Sequence, residues 1–177
     1  MAENSAANDE MKPLEDFQRA LGRYVLSFQM LETQIKHLIC FLIDHPDGGL
    51  CQVLTAELAF KNLLHVCFSV FDHIYDRDDE LKENLKALMS RALRVGEERN
   101  AILHSEWLWP GGDNLVRVKY RARLSKFRPV GEEVSAKELA QRADRIDSLT
   151  REIGQFIGCA LDFLNERKRR LFHVANP

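Results

Sequence analysis

The sequence predicts an all-α protein, an up-and-down bundle of four to five helices that carries one small β-hairpin. Three observations lead to that class. Long stretches repeat apolar residues at alternating spacings of three and four, the period of one helix face. Clusters of proline, glycine and acidic residues separate those stretches. A single segment, after Trp109-Pro110-Gly111-Gly112, changes to a period of two, which is that of a strand. At 177 residues the chain is sized for one domain that buries a core without disulfide or metal staples. The expected boundaries are a disordered tail over 1–12 and one helical domain over 13–177, with the hairpin inserted around 107–134.

The first helix is expected to start at Pro13, a residue suited to a first helical turn, and to run to about Asp44. Along it Leu14, Phe17, Leu21, Tyr24, Phe28, Leu31, Ile35, Leu38 and Leu42 make one continuous apolar seam. His45-Pro46-Asp47-Gly48-Gly49 ends it in a turn. Leu50 to Tyr75 is apolar on more than one face and reads as a central helix broken near Ala59. Asp76 to Asp79 supplies capping residues before Leu81, Leu85, Leu88, Ala92 and Val95 open a further seam. Val116, Val118, Tyr120, Ala122 and Leu124 then alternate with Arg117, Lys119, Arg121 and Arg123, so a strand with one apolar and one cationic face is expected. Its neighbour would come from Trp107 to Trp109 or from Phe127 to Val134. Ser135-Ala136-Lys137-Glu138 is a capping box, and Leu139, Ala143, Ile146, Leu149, Ile153, Phe156, Ala160 and Phe163 carry the last long helix.

Composition narrows the function classes. The chain is 45 % apolar and 29 % charged, and its apolar runs are interrupted by charges or amides, so no membrane span is expected. Met1 to Lys12 is polar and mildly acidic and lacks the basic start and apolar centre of a secretion signal. The four cysteines, Cys40, Cys51, Cys67 and Cys159, form no Cys-x-x-Cys pair, and a reduced cytoplasm is expected. A formal charge of −2 gives no global pull on polyanions, so a nucleic-acid site would have to be a local concentration of cations. No Glu-x-x-His pair occurs, and His37, His45, His65, His73 and His173 lack metal-ligand spacing, so no metal and no cofactor is expected. Walker loops, nucleophile elbows and dinucleotide fingerprints are missing as well.

What remains is Glu98-Arg99-Asn100-Ala101-Ile102-Leu103-His104-Ser105. The apolar seam that opens at Leu81 extends onto Arg99, Ile102 and Glu106, so an arginine occupies a position where an apolar residue is expected. A guanidinium there must be paired or face a cleft; an internal carboxylate such as Glu32 is one partner, a substrate phosphate the other. Arginine holds a phosphate with a planar fork, an amide adds a neutral donor, and imidazole is the side chain that changes charge near neutral pH. These are parts for phosphodiester chemistry. On an ideal helix five residues place His104 roughly 140° round from Arg99 and about 7.5 Å along the axis. One monomer therefore does not put both on one face, whereas two copies related by a two-fold axis can line one groove.

Arg99-Asn100-x-x-x-His104 resembles the Arg-x4-6-His motif of the HEPN superfamily, compact helical domains whose active members are metal-independent ribonucleases working at a dimer interface. The resemblance implies a helical bundle with the motif closing its third long helix. It also implies Arg99 as the phosphate-binding arginine, Asn100 as the adjacent polar position and His104 as the catalytic histidine; Glu32, the internal carboxylate that would pair with Arg99, and Ser105 stand beside that motif as candidate supporting residues. Members silenced by a nucleotidyltransferase antitoxin resemble Arg-x4-His-x-Tyr; Glu106 stands where the tyrosine would be, so that mode of control is not implied. The implied function is an RNA endonuclease of toxin or phage-defence type, a homodimer, with RNA as substrate and an antitoxin or regulatory protein as a further partner.

Arg117, Lys119, Arg121 and Arg123 recur about every 6.6 Å on one strand face and could follow an RNA backbone; the bland alternative is an exposed edge strand whose charges prevent edge-to-edge pairing. Arg167-Lys168-Arg169-Arg170 reads as the favourable cationic end of the last helix, and Trp107 and Trp109 as anchors of the hairpin. Two rival readings of the whole chain stand beside the nuclease. One is a non-catalytic HEPN-like module that binds a nucleotide, RNA or protein. The other is a helical oligomerisation protein in which Arg99 is structural.

Overall fold

The computed structural model describes the backbone of residues 2–43, 48–74, 79–112, 114–123 and 126–175, and the side chains of 11–43, 49–74, 80–112, 114–118 and 130–162. Five helices and three strands follow in the order α1 (Ala2–Ile43), α2 (Gly48–Ala56), α3 (Phe60–Ile74), α4 (Asp79–Leu103), β1 (Glu106–Leu108), β2 (Asn114–Arg123), β3 (Lys126–Ser135) and α5 (Ala136–Ala175). The chain is mostly helical with one small antiparallel sheet. None of the helices among the described residues is long and apolar enough to cross a membrane.

The periodic seams place the long helices. Phe17, Tyr24, Phe28, Leu31, Ile35, Leu38 and Leu42 of α1 are all buried. The helix ends at Ile43, within a residue of the expected stop. Its start differs: α1 begins at Ala2 and takes Pro13 into its interior, so the segment expected to be a tail is helical. An interior proline removes one backbone hydrogen bond, a local cost that the flanking turns of a long helix offset. The central segment is broken where Ala59 suggested. Leu58 N donates to Thr55 O at 3.3 Å and Leu63 N to Ala59 O at 3.0 Å, so one short turn joins α2 to α3. At the start of α5 the capping box is formed from both sides: Ser135 N donates to Glu138 Oε2 at 2.9 Å, and Glu138 N to Ser135 Oγ at 3.2 Å. The Ser135 N–H, with the Ser135 hydroxyl also donating to Oε2 at 3.2 Å, draws the Glu138 carboxyl below its ordinary range.

By backbone contacts the chain divides into two units. The first, Met1–Gln29 with Glu97–Ile146, contains the start of α1, the last turns of α4, the sheet and the start of α5. Its core is Phe17, Tyr24, Phe28, Ile102, Leu115, Val118, Val134, Leu139, Ala143 and Ile146. Trp107 packs edge-on against Phe17 with ring centroids 5.1 Å apart, and its Nε1 donates to Ile102 O at 3.2 Å. The expected anchoring role of this tryptophan is thereby met. Trp109 Nε1 instead caps the turn through Gly112 O at 3.1 Å, where Gly111 and Gly112 take φ of 95° and 80°, a region that only glycine enters freely.

In the sheet β2 lies between β1 and β3, so both neighbours considered from the sequence are used and the expected hairpin is a three-stranded sheet. Trp107 faces Arg117 on one side, and Arg117 faces Glu132 on the other. Over Val116–Val118 β2 is thus an interior strand, and the edge-guarding account of its cations does not apply there. The simple division into an apolar and a cationic face also needs correction. Leu115, on the pleat side of Arg117, is buried against its register partner Val134, and Val118, on the opposite side, is buried too. Both faces of the strand carry core at this end, and the Arg117 side chain is 13 % exposed and ion-paired to Glu132.

The second unit is Met30–Gly96 with Asp147–Pro177. Leu31, Ile35, Leu38, Leu63, Cys67, Phe71, Leu85, Ala92, Ile153 and Phe156 fill it. Phe71 and Phe156 stack tilted at 5.5 Å, and Arg91 holds Glu152 with both guanidinium nitrogens at 2.5 and 2.8 Å. Burial pushes the Cys67 thiol up to about 12, which leaves it protonated. Against the reduced setting expected for the four cysteines, Cys40 and Cys51 are disulfide-bonded, with Cα atoms 5.4 Å apart. No local motif announces it. The bond joins α1 to α2 through residues eleven apart in sequence.

Candidate functional site

Arg99, Asn100 and His104 occupy the last turns of α4 and the residue just past its end. The Arg99 guanidinium carbon sits 5.2 Å from the centroid of the Phe28 ring, a cation–π contact, and Nη1 donates to Asn100 Oδ1 at 3.0 Å. Nε of Arg99 is buried and has no hydrogen-bond partner. The arginine at an apolar seam position is therefore half-buried on an aromatic platform, with its outer nitrogen steering the neighbouring amide. His104 follows the helix end. Its N–H donates to Asn100 O at 3.0 Å, which closes the last helical turn, and its side chain is exposed. Ser105 Oγ donates to Ala101 O at 2.5 Å, so this hydroxyl serves the helix terminus. Glu32 belongs to the second unit, where its carboxylate accepts from Lys36 at 2.7 Å.

Of the strand residues, Arg117 pairs with Glu132, and its Nε is buried without a partner. Lys119, Arg121 and Arg123 are placed on β2 by their backbone, and their side chains lie outside the described residues. Among the described residues no group of three or more His, Cys, Asp or Glu side chains is placed to hold a metal ion.

Sequence reasoning missed the groups that surround Arg99. Tyr24, counted only as one link of the α1 seam, is 1 % exposed, yet its hydroxyl has no hydrogen-bond partner. Burial pushes that hydroxyl up to about 12 with help from the Glu98 carboxylate, while Arg142, Arg99 and Arg145 oppose the rise. Arg142 is 3.9 Å from Glu132, and Arg145 is 3.8 Å from Glu98. The two arginines stand three apart on α5, on the helix face next to the buried Leu139 and Ile146. That adjacency of cations to an apolar seam is the signal that was present in the sequence.

Chemically the arrangement offers several fixed donors and few acceptors, which suits an oxyanion. Neither a family model, nor a curated protein, nor a solved structure matches the chain.

Proposed function

We propose that this chain is a metal-independent RNA endonuclease of toxin or phage-defence type, built on a HEPN-like helical fold and working as a homodimer. The observation that carries the reading is Arg99 itself. It is half-buried, seated on Phe28 and joined to Asn100, five residues before an exposed imidazole. In the proposed reaction the ribose 2′-hydroxyl attacks the adjacent phosphorus and the bond to the 5′-oxygen breaks. The products are a 2′,3′-cyclic phosphate and a 5′-hydroxyl. His104 moves the proton from the 2′-oxygen or to the leaving 5′-oxygen, Arg99 stabilises the charged phosphorane, and Asn100 orients the phosphate. Pairing two copies supplies the second imidazole that a base and an acid acting together require. RNA substrate implies a cytoplasmic site of action, where the Cys40–Cys51 bond has to withstand a reducing pool. An antitoxin or regulatory protein would hold the activity in check.

A second reading is favoured by one observation: Arg99 is half-buried on Phe28 and bonded to Asn100, whereas His104 is exposed and bonds through its backbone N–H. A HEPN-like module that binds a nucleotide, RNA or protein without cutting would need only the arginines. His104→Ala separates the two. For the nuclease it abolishes cleavage of RNA in chelator and abolishes growth arrest on expression, while leaving the dimeric mass by light scattering and most RNA affinity, because an imidazole in proton transfer acts mainly on the transition state. Growth arrest that persists in His104→Ala, with no cyclic-phosphate product from the unaltered protein, would establish the binding module instead.

A further inference from the structure

The surroundings of Tyr24 in the first unit hold more positive charge than their carboxylates neutralise. Arg99, Arg117, Arg142 and Arg145 stand against Glu98, Glu132 and Glu138, the last of which feels Arg142 as well, four cations to three anions. Glu132 is shared, tightly with Arg117 and at 3.9 Å with Arg142. Arg99 has an amide and an aromatic ring as its recorded partners.

The buried atoms without partners are of one kind in this region: the Tyr24 hydroxyl, Arg99 Nε and Arg117 Nε. Guanidinium groups only donate, and a buried phenol held well above neutral pH keeps its proton to donate. The two Nε–H groups can only donate, and although the phenol oxygen could accept from one of them, no such bond is made. Leaving them unmade inside the protein is costly, and a group with several acceptor atoms and negative charge removes that cost at once.

We infer that Tyr24, Arg99 and Arg142 form a pocket for a phosphate oxyanion, with Arg142 as the gate. Arg99 is fixed by Phe28 and Asn100, so it does not move to receive a ligand. Arg142 is the loosely held cation: half-buried, on α5, and tied to Glu132 by the longer of that carboxylate's two ion pairs. The Tyr24 hydroxyl is enclosed, and the arriving anion reaches it when the Arg142 guanidinium swings from Glu132 onto the anion. Glu132 keeps Arg117 and is not left uncompensated. Tetrahedral oxygens then accept from Arg99, Arg142 and Tyr24 together. The pocket shares Arg99 with the proposed nuclease and rests on that reading for the oxyanion being a phosphodiester of RNA; a free nucleotide presents the same chemistry.

The test is calorimetric titration of the full chain with inorganic pyrophosphate at low salt in chelator, followed by displacement with a short single-stranded RNA or with a nucleoside diphosphate. The unaltered chain should bind pyrophosphate. Arg142→Gln should weaken binding at least tenfold, Arg142→Lys less, and Tyr24→Phe several-fold. Arg23→Gln, a control in the same unit whose ion pair is with Asp144, should bind as the unaltered chain does. Should Arg142→Gln fail to fold, Arg142→Lys and Tyr24→Phe carry the comparison. The inference is overturned if pyrophosphate gives no saturable heat, or if the Arg142 and Tyr24 variants bind within twofold of the unaltered chain. It is equally overturned if Arg23→Gln loses as much as they do, since general charge would then explain the binding. Displacement by RNA supports the phosphodiester source. Displacement by the diphosphate alone keeps the pocket and sinks its assignment to RNA, and a pocket that binds while no RNA is cut separates failure of the nuclease reading from failure of this one.

Discussion

Replacing Arg99 by lysine is the perturbation whose magnitude the structure defines best. Lysine keeps the positive charge and can remain over the Phe28 ring, where the guanidinium carbon now sits 5.2 Å from the centroid. A cation–π contact of this kind contributes ~0.5–2 kcal/mol, and an ammonium retains part of it. What lysine loses is the fork. Arg99 spends Nη1 on Asn100 Oδ1 at 3.0 Å and still has further N–H groups for a phosphate. A single ammonium at the end of a flexible stem cannot serve the amide and two phosphate oxygens in one plane. The loss is about one charge-assisted hydrogen bond, ~1.5–3 kcal/mol, which is roughly 10- to 150-fold in rate at about 1.36 kcal/mol per tenfold. Folding stability should change by under ~1 kcal/mol, because the charge and the platform persist. The assay is single-turnover cleavage of RNA in chelator, beside a thermal melt. A lysine variant that cuts within about threefold of the unaltered rate would refute the geometric role and leave only electrostatics. A variant that instead loses most of its stability would make Arg99 structural, as the oligomerisation reading requires.

Two further predictions concern the scaffold. Ser135→Ala removes the hydroxyl that accepts the Glu138 N–H at 3.2 Å and should cost about 1 kcal/mol; for a chain of this size that lowers the melting temperature by roughly 2–4 °C, and an unchanged melt would mean the start of α5 is held by the sheet alone. Glu152 is held below its ordinary range, first by its hydrogen bonds from Arg91, so its contribution is present above the unfolded carboxyl's value and is lost as pH falls through the depressed folded value. The stability gap between the unaltered chain and Glu152→Gln, no more than ~1 kcal/mol for so exposed a pair, should be constant above neutral pH and close on acidification; chemical denaturation at several pH values measures it, and a gap that widens in acid would reverse the sign assigned to the pair.

The order of elements was largely legible in the sequence because helix and strand periods are local. Leu31, Ile35, Leu38 and Leu42 could be assigned to one face without knowing what they pack against, and Ser135 with Glu138 forms its cap from residues three apart. The break near Ala59 and the end of α1 at Ile43 are likewise written in short-range chemistry, while the turn expected over His45-Pro46-Asp47 lies outside the described residues. Of the site, Arg99 stood out because a charge occupied an apolar seam position, and its half-buried seat on Phe28 fits that signal.

Tertiary structure alone decided the rest, and the reason is sequence separation. Cys40 meets Cys51 because α2 lies back beside the end of α1. Arg117 is taken from an expected solvated row and half-buried in an ion pair with Glu132, on a strand that gains a neighbour on each side. Tyr24 passes in the sequence for one more apolar residue of α1. Only the approach of α4 and α5 within the first unit surrounds its enclosed hydroxyl with Arg99, Arg142 and Arg145. A helical period says which face is buried; it does not say which charges from residues 75 or more positions away will be brought near it.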